Sequence, residues 1–379
     1  MPERTLIKNI SIVNKGQIIL RYLLIEDSLI SKIGLIQSDQ NTKIIDGTGK
    51  YLFPGIIDGQ VHFRDPGLTH KGDLHSESRA AVAGGATSFI DMPNTFPNIL
   101  TTDLLDEKYQ LASEKSLANY GFFLGVSADN IDYVINLDTS KLLGVSDDGL
   151  YFTKKGNLLA DNPETMEKLF ANCKSIIAIH SEREQIVEEN ENLFREKYGD
   201  DVPIQFHPII RSEKACYEAT KRAIDLANKH NALLHILHLT TEAETHLFRN
   251  DIPLEEKRIT TEVSVHHLWF SDKNYKQLGT LIKWNPAIKT EKDKMGLLKA
   301  LLDNRIDIVT TDHAPHTLEE KQKPYFQAMS GASIVQHSLN IMLEFYKQGL
   351  ISLEKIAEKM CHNPAILYKI YSRGFILEG

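Results

Sequence analysis

Apolar positions along this chain follow two rhythms that meet near residue 50. Over residues 4 to 50, short alternating runs (TLIKNISIV, QIILRYLLIED, LISKIGLI, TKIIDGTGK) are separated by turn residues, which predicts a local antiparallel sheet without a helix. From residue 51, apolar and β-branched runs alternate with longer segments of helical spacing. The runs are YLFPGIIDGQVHF, ATSFIDMP, ANYGFFLGVS, KLLGVSDDG, SIIAIHSE, LLHILHLTT, ITTEVSVHH and IDIVTTDHAPH, eight in all. Between them lie amphipathic stretches such as ETMEKLFANC, ACYEATKRAIDLANKH and EKDKMGLLKALLDN. Strands buried on both faces and joined by helices form parallel βα units, and eight such units close a barrel. The expected fold is therefore α/β, a (β/α)8 TIM-like barrel, with a doubly wound open sheet as the alternative.

Composition narrows the chemistry. With 379 residues, 42% hydrophobic and 25% charged, the chain can bury a large core. No stretch approaches the roughly 20 apolar residues needed to cross a bilayer. MPERTLIKNI has neither an apolar signal region nor an Arg-rich amphipathic segment, so the expected location is the cytoplasm. Cys173, Cys216 and Cys361 are too widely spaced for a disulfide framework or a CxxC site. A formal charge of −8 offers no basic stripe for nucleic acid. The fifteen histidines matter more, and their positions decide what they mean.

Almost every predicted barrel strand ends in His, Asp or Asn on its C-terminal side, where a barrel keeps its catalytic mouth. A single such residue is explained as a helix N-cap, but the convergence of six or seven is not. Strand alternation points Gln60 and His62 of DGQVHF the same way, into the barrel. His180 in IAIHSE and His238 in LHILHLTT each close a buried strand, where an unpaired imidazole is costly. His235, three residues before His238, points to the opposite face and reads as structural. Asp148, or its neighbour Asp147, in GVSDDG and Asp312 in VTTDHAPH add carboxylates. Three histidines and two aspartates form a mixed nitrogen and oxygen set suited to Zn²⁺ and, less commonly, to Mn²⁺, Fe²⁺ or Co²⁺.

DGQVHFRDPG, DMPNT, SDDG, IHSE, HILHLTT, TEVSVHHL, NPAIK and TDHAPH, in this order over residues 58 to 316, resemble the motifs of the cyclic amidohydrolases, and of dihydroorotases in particular. The resemblance implies a barrel over residues 51–365 with a centre of one or two zinc or other divalent ions. It also implies a small β-sandwich subdomain that begins with residues 1–50 and resumes at 366–379. Because the sequence stops at RGFILEG, where the family continues, that sandwich is expected to be incomplete. Position by position, His62 matches the second imidazole of an HxH pair and Asp148 the bridging ligand. His180 and His238 match the pair on the other ion, and Asp312 matches an aspartate that binds metal and moves the proton. Gln60 stands where the family has the first imidazole, so it is expected to be a weak or absent ligand. Where some relatives bridge the ions with a carboxylated lysine, Lys141, Lys154 and Lys155 lie off the motif.

The same resemblance assigns Arg64, Asn94 and His316 to the free carboxylate of dihydroorotate, and Asn285 to its ring. Read by themselves, Arg64 is also a surface ion-pair residue, and Asn94 and Asn285 are turn residues before Pro97 and Pro286. The polar segment from Thr317 to Ser333, with Gly331, reads as a mobile loop over the mouth. The implied reaction is reversible hydrolysis of (S)-dihydroorotate to N-carbamoyl-L-aspartate, a step of de novo pyrimidine biosynthesis, with Asp312 carrying the proton. A homodimer or a transcarbamoylase partner is implied with it. The rival readings are a hydantoinase or allantoinase, and a non-catalytic barrel kept as a scaffold for a transcarbamoylase, which Gln60 motivates.

Overall fold

The computed structural model describes residues 3–150, 159 and 162–379. Lys154 and Lys155 lie outside the described residues. The chain forms two compact units, one of residues 1–57 with 342–379 and one of residues 58–341.

In the first unit, strands β1 (Arg4–Asn14), β2 (Gln17–Glu26), β3 (Leu29–Gly34), β4 (Thr42–Asp46) and β5 (Tyr51–Leu52) form one sheet. β1 to β3 pair antiparallel, as the short turns between them predict, but β4 and β5 run parallel to β1. The sheet is thus mixed and not antiparallel throughout. Residues 35–41 carry the chain back to the start of β1, where Thr42 pairs with Arg4, and a period of two is the same in either direction. Ile10, Ile12, Leu23 and Ile376 form the core of this unit.

The barrel strands are β6 (Ile56–Val61), β7 (Ala86–Asp91), β8 (Asn119–Phe122), β9 (Leu124–Gly125), β10 (Gly144–Ser146), β11 (Ile176–Ile179), β12 (Leu233–Ile236), β13 (Ile259–Ser264) and β14 (Ile308–Thr310). β8 and β9 are halves of the third predicted run, broken at Phe123: β8 pairs with β7 and β9 with β10. The remaining neighbours pair in parallel through to β14, and a parallel bridge between Val61 and His313 closes the circle. The result is an α/β barrel of the TIM type. The outer helices have local causes. Asn162 caps Pro163–Asn172 with proline in its first turn, Ser212 caps Glu213–His230, and Thr290 with Asp293 forms a capping box on Glu291–Leu302. Glu213–His230 buries Ala215, Ala219, Ala223 and Ala227, a stripe of small residues at helical spacing.

Candidate metal centre

The strand ends bring the predicted residues together at one point. His62 follows β6, Asp148 lies just past β10, His180 follows β11, His238 lies just past β12 and Asp312 just past β14. Among the described residues, two groups of three bring their donor atoms within 4.8 Å of one another: Asp148 with His180 and His238, and His62 with Asp148 and Asp312. Asp148 is shared. Its Oδ1 lies 3.5 Å from His180 Nδ1 and 3.9 Å from His238 Nε2, and its Oδ2 lies 3.3 Å from His62 Nε2. His180 Nδ1 and His238 Nε2 are 3.0 Å apart, as are His62 Nε2 and Asp312 Oδ1.

Backbone conformation helps to aim these groups. Arg64, His238 and Asp312 have φ values of +46°, +35° and +48°, a left-handed region that costs non-glycine residues about 1–3 kcal/mol each. Simple strand alternation therefore does not account for where Arg64 points. The turn at Asp312 is held from below, because buried Asp58 accepts from Thr311 N (3.1 Å) and Thr311 Oγ1 (2.6 Å). Burial pushes the Asp58 carboxyl up to about 7 against these hydrogen bonds. The turn after β6 is held by Asp91, which accepts from Phe63 N at 2.9 Å and pairs with fully buried Lys108 at 2.7 Å.

The choice between neighbouring aspartates is resolved by partners. Asp147 accepts from His180 N at 2.9 Å and Leu159 N at 2.8 Å, so it ties the backbone together, and Asp148 joins the cluster. His235 stays outside it, bonded to Glu262 Oε2 and Thr260 Oγ1. Lys141 is a surface residue. Gln60 faces the cluster, but its Nε2 donates to Asp148 Oδ2 at 2.8 Å. Asn94 places Oδ1 2.8 Å from His62 Nδ1, and a Cβ at position 149 would fall 2.0 Å from Asn94 Nδ2, so Gly149 leaves the space that Asn94 occupies.

Sequence reasoning missed Glu182. Its buried Oε2 lies 2.8 Å from the Nε2 of buried His180 and also pairs with the half-buried Arg211. The signal was present in IHSE, since residues two apart can share a side. Burial opposes its charge, yet Arg211 and His180 hold the carboxyl far below the usual range.

A cleft of about 290 Å³ opens onto the cluster, lined by His62, Arg64, Asn94, Asp148, Asn285 and Asp312, with Trp284, Ala314, Ser330 and Gly331 completing its wall. Arg64 donates through Nε to Pro315 O at 3.3 Å, and burial lowers its guanidinium to about 10. His316 is not among the lining residues. It lies behind Arg64, with Nε2 3.1 Å from Arg64 Nη2 and 3.0 Å from Ser330 O, and Nδ1 3.2 Å from Lys71 Nζ. Burial, with Arg64 and Lys71 adding to it, pushes His316 down to about 2, so the ring is neutral. Asn285 Oδ1 accepts from Ser330 Oγ at 3.1 Å.

The 317–333 segment, expected to be mobile, is tied down. Lys321 Nζ donates to the carbonyls of Lys283 (3.0 Å), Met329 (3.0 Å) and Gly331 (2.7 Å). Lys283 Nζ donates to those of Tyr325 and Ala328, both at 2.6 Å. His207 bonds the Tyr325 hydroxyl and Trp284 O.

The donor set fits a divalent ion. Bonds of 2.0–2.2 Å in tetrahedral zinc put ligand atoms roughly 3.3–3.6 Å apart, close to the separations above. Although burial disfavours the imidazolium, Asp148 and Asp312 push His62 up to about 10, and Asp148 and Glu182 push His180 up to about 9. The same negative field favours a metal cation that displaces those protons.

A sequence profile of the amidohydrolase family matches residues 51–379. Similar proteins include a dihydroorotase of Lactococcus lactis, 32% identical over 366 residues that cover 94% of this chain and 82% of that protein. Another is a dihydroorotase of Carboxydothermus hydrogenoformans, 32% identical over 376 residues, 98% of this chain and 85% of that protein. Among solved structures, an L-hydantoinase (dihydropyrimidinase) from Arthrobacter aurescens superposes with a TM-score of 0.89 at 25% identity, covering all of this chain and 85% of its own. A metal-dependent fold, a strand-end His/Asp cluster and a match over most of the chain agree that this protein belongs to the amidohydrolase family.

Proposed function

We propose that this chain is a dihydroorotase that interconverts (S)-dihydroorotate and N-carbamoyl-L-aspartate in de novo pyrimidine biosynthesis. The observation that carries the reading is Arg64, a buried guanidinium on the wall of the same cleft as Asp312 and the His/Asp cluster. A cation there suits a small cyclic amide that bears a carboxylate. The similar dihydroorotases support it.

In this reading Asp148, His180 and His238 form one group that would hold a divalent ion, and His62 and Asp312 with the shared Asp148 form the candidate second group; zinc is the ion that their chemistry suits best. The ion supplies Lewis-acid polarisation of the ring amide and lowers the pKa of water toward 7. Asp312 takes the proton of the attacking water and returns it to the ring nitrogen as the C–N bond breaks, and in synthesis it works in reverse. Arg64 grips the substrate carboxylate in two-pronged fashion while Asn94 and Asn285 border the ring. His316 supports this grip from behind, holding Ser330 O. The same proposal takes residues 1–50 and 366–379 as parts of a β-sandwich subdomain and 51–365 as the barrel. It adds a cytoplasmic location and a homodimer or transcarbamoylase partner; among the described residues no helix is long and apolar enough to cross a membrane.

The fold similarity to an L-hydantoinase favours a second reading, a cyclic amidase for uncarboxylated rings. Assay of the zinc-loaded chain on dihydroorotate and on a 5-substituted hydantoin separates the two. Turnover of dihydroorotate at least about a hundredfold more efficient is expected; preference for the hydantoin would transfer the assignment.

A further inference from the structure

The two three-residue groups are not equivalent, and Gln60 makes the difference. Its Nε2 stands 2.8 Å from Asp148 Oδ2, and both side chains are buried. A carboxylate offers only acceptors, so the amide nitrogen must face it and Oε1 must turn away. Oε1 has no hydrogen-bond partner among the described residues. Reversing the amide to offer Oε1 toward Oδ2 would set two oxygens against each other at that distance. The N–H therefore puts a partial positive charge beside the oxygen on which an ion shared with His62 and Asp312 would rest. On the other side, Asp148 Oδ1 is free of Gln60 and faces His180 Nδ1 and His238 Nε2, at 3.5 and 3.9 Å. His180 is in turn oriented by Glu182, the carboxylate partner that strengthens a ligating imidazole. On the His62 side the partner among the described residues is an amide, that of Asn94.

We infer that the centre binds one divalent ion tightly, on Asp148 Oδ1, His180 and His238, and that Gln60 is a positioning residue that clamps Asp148 and excludes a second tight ion from the His62–Asp312 side. This rests on the metal-dependent reading of the site, but not on the identity of the substrate. His62 and Asp312 then remain available to handle protons and substrate.

The test counts ions instead of turnover. The metal-free full-length chain is titrated with Zn²⁺ by calorimetry, and the bound metal is quantified after dialysis. Wild type should hold one tight ion per chain, and Gln60→His, which removes the donor and adds an imidazole, should hold two. His62→Ala should keep the single tight ion with its affinity within about threefold, whereas His180→Ala should lose it. Gln60→Met, similar in length but without the donor, should weaken that ion on the order of tenfold, the lower end of the effect of removing a group that orients a ligand. Circular dichroism and thermal melting establish that each variant is folded. Two tight ions in wild type, loss of the tight ion in His62→Ala, or a single ion in folded Gln60→His would each overturn the inference. Failure to hydrolyse dihydroorotate would sink the proposed function and leave these ion counts unaffected.

Discussion

Replacing Arg64 with Lys isolates the contact on which the substrate assignment depends. The change keeps a positive charge but removes the planar fork, and with it one of two charge-assisted hydrogen bonds to the carboxylate. A bond of that kind contributes about 1.5–3 kcal/mol, so binding of dihydroorotate should weaken by about 10- to 150-fold. The wild-type fork is held in orientation by its Nε bond to Pro315 O and by packing against His316, and a lysine has no Nε to reproduce this. Burial lowers the Arg64 guanidinium only to about 10, so the wild-type side chain stays charged at pH 7; assays at pH 6 as well as pH 7 separate the lost fork from any deprotonation of a buried lysine. The assay is kcat/KM for dihydroorotate and for dihydrouracil, which is the same ring without the carboxylate. Loss should fall on dihydroorotate, chiefly in KM, while dihydrouracil stays within about threefold. An equal loss on both substrates would mean that Arg64 supports the wall of the cleft and does not hold the carboxylate.

Asp312→Asn should leave the melting temperature near that of wild type and lower kcat at least about a hundredfold, since a positioned acid–base group contributes 10²- to 10⁴-fold. Glu182→Gln should weaken zinc binding by about 10- to 100-fold in calorimetry, because the amide no longer draws on the far nitrogen of His180 as a carboxylate does. Lys321→Met removes three buried donors to carbonyls and should speed amide hydrogen exchange over residues 322–331 while raising KM. His207 is held well below its ordinary 6.5 by burial, with Lys283 and Arg211 adding to the effect, so the folded state keeps it neutral. Its contribution to stability is therefore complete above about pH 6.5 and is lost as pH falls and the unfolded chain takes up the proton, by up to about 1.4 kcal/mol per pH unit. Chemical unfolding of wild type and His207→Gln at pH 5, 6 and 7.5 measures this, and a gap between them that does not change with pH would exclude it.

The parallel strands were legible because burial on both faces leaves apolar runs between amphipathic stretches, and their number, eight, favoured a closed barrel over an open sheet. The direction of β4 and β5 was not legible, because alternation looks identical in parallel and antiparallel strands. The break at Phe123 was hidden inside ANYGFFLGVS, whose apolar centre GFFLGV shows no interruption there. At the site, the positions at strand ends could be read from spacing, but their aim could not. Arg64, His238 and Asp312 leave their strands in left-handed backbone, which no side-chain pattern records. Asp147 and Asp148 were indistinguishable until their partners were known, since either could end the strand.

The residues that hold the chemical groups in place were the least visible, for a physical reason. Glu182, Lys283 and Lys321 are charged residues that by type read as solvated, and only tertiary packing turns them into buried partners, Glu182 with the half-buried Arg211. A lysine in a loop is ordinarily a surface residue. Here Lys283 and Lys321 make five bonds to carbonyls of residues 283–331. Burial lowers both amines to about 7, so these bonds work against a desolvation cost and hold best below that pH, where both lysines are charged. Ser330 and Gly331 of the segment so tied form part of the wall of the cleft. In the proposed reaction the substrate would meet Ser330 and Gly331 on that wall, beside Arg64 and Asn285.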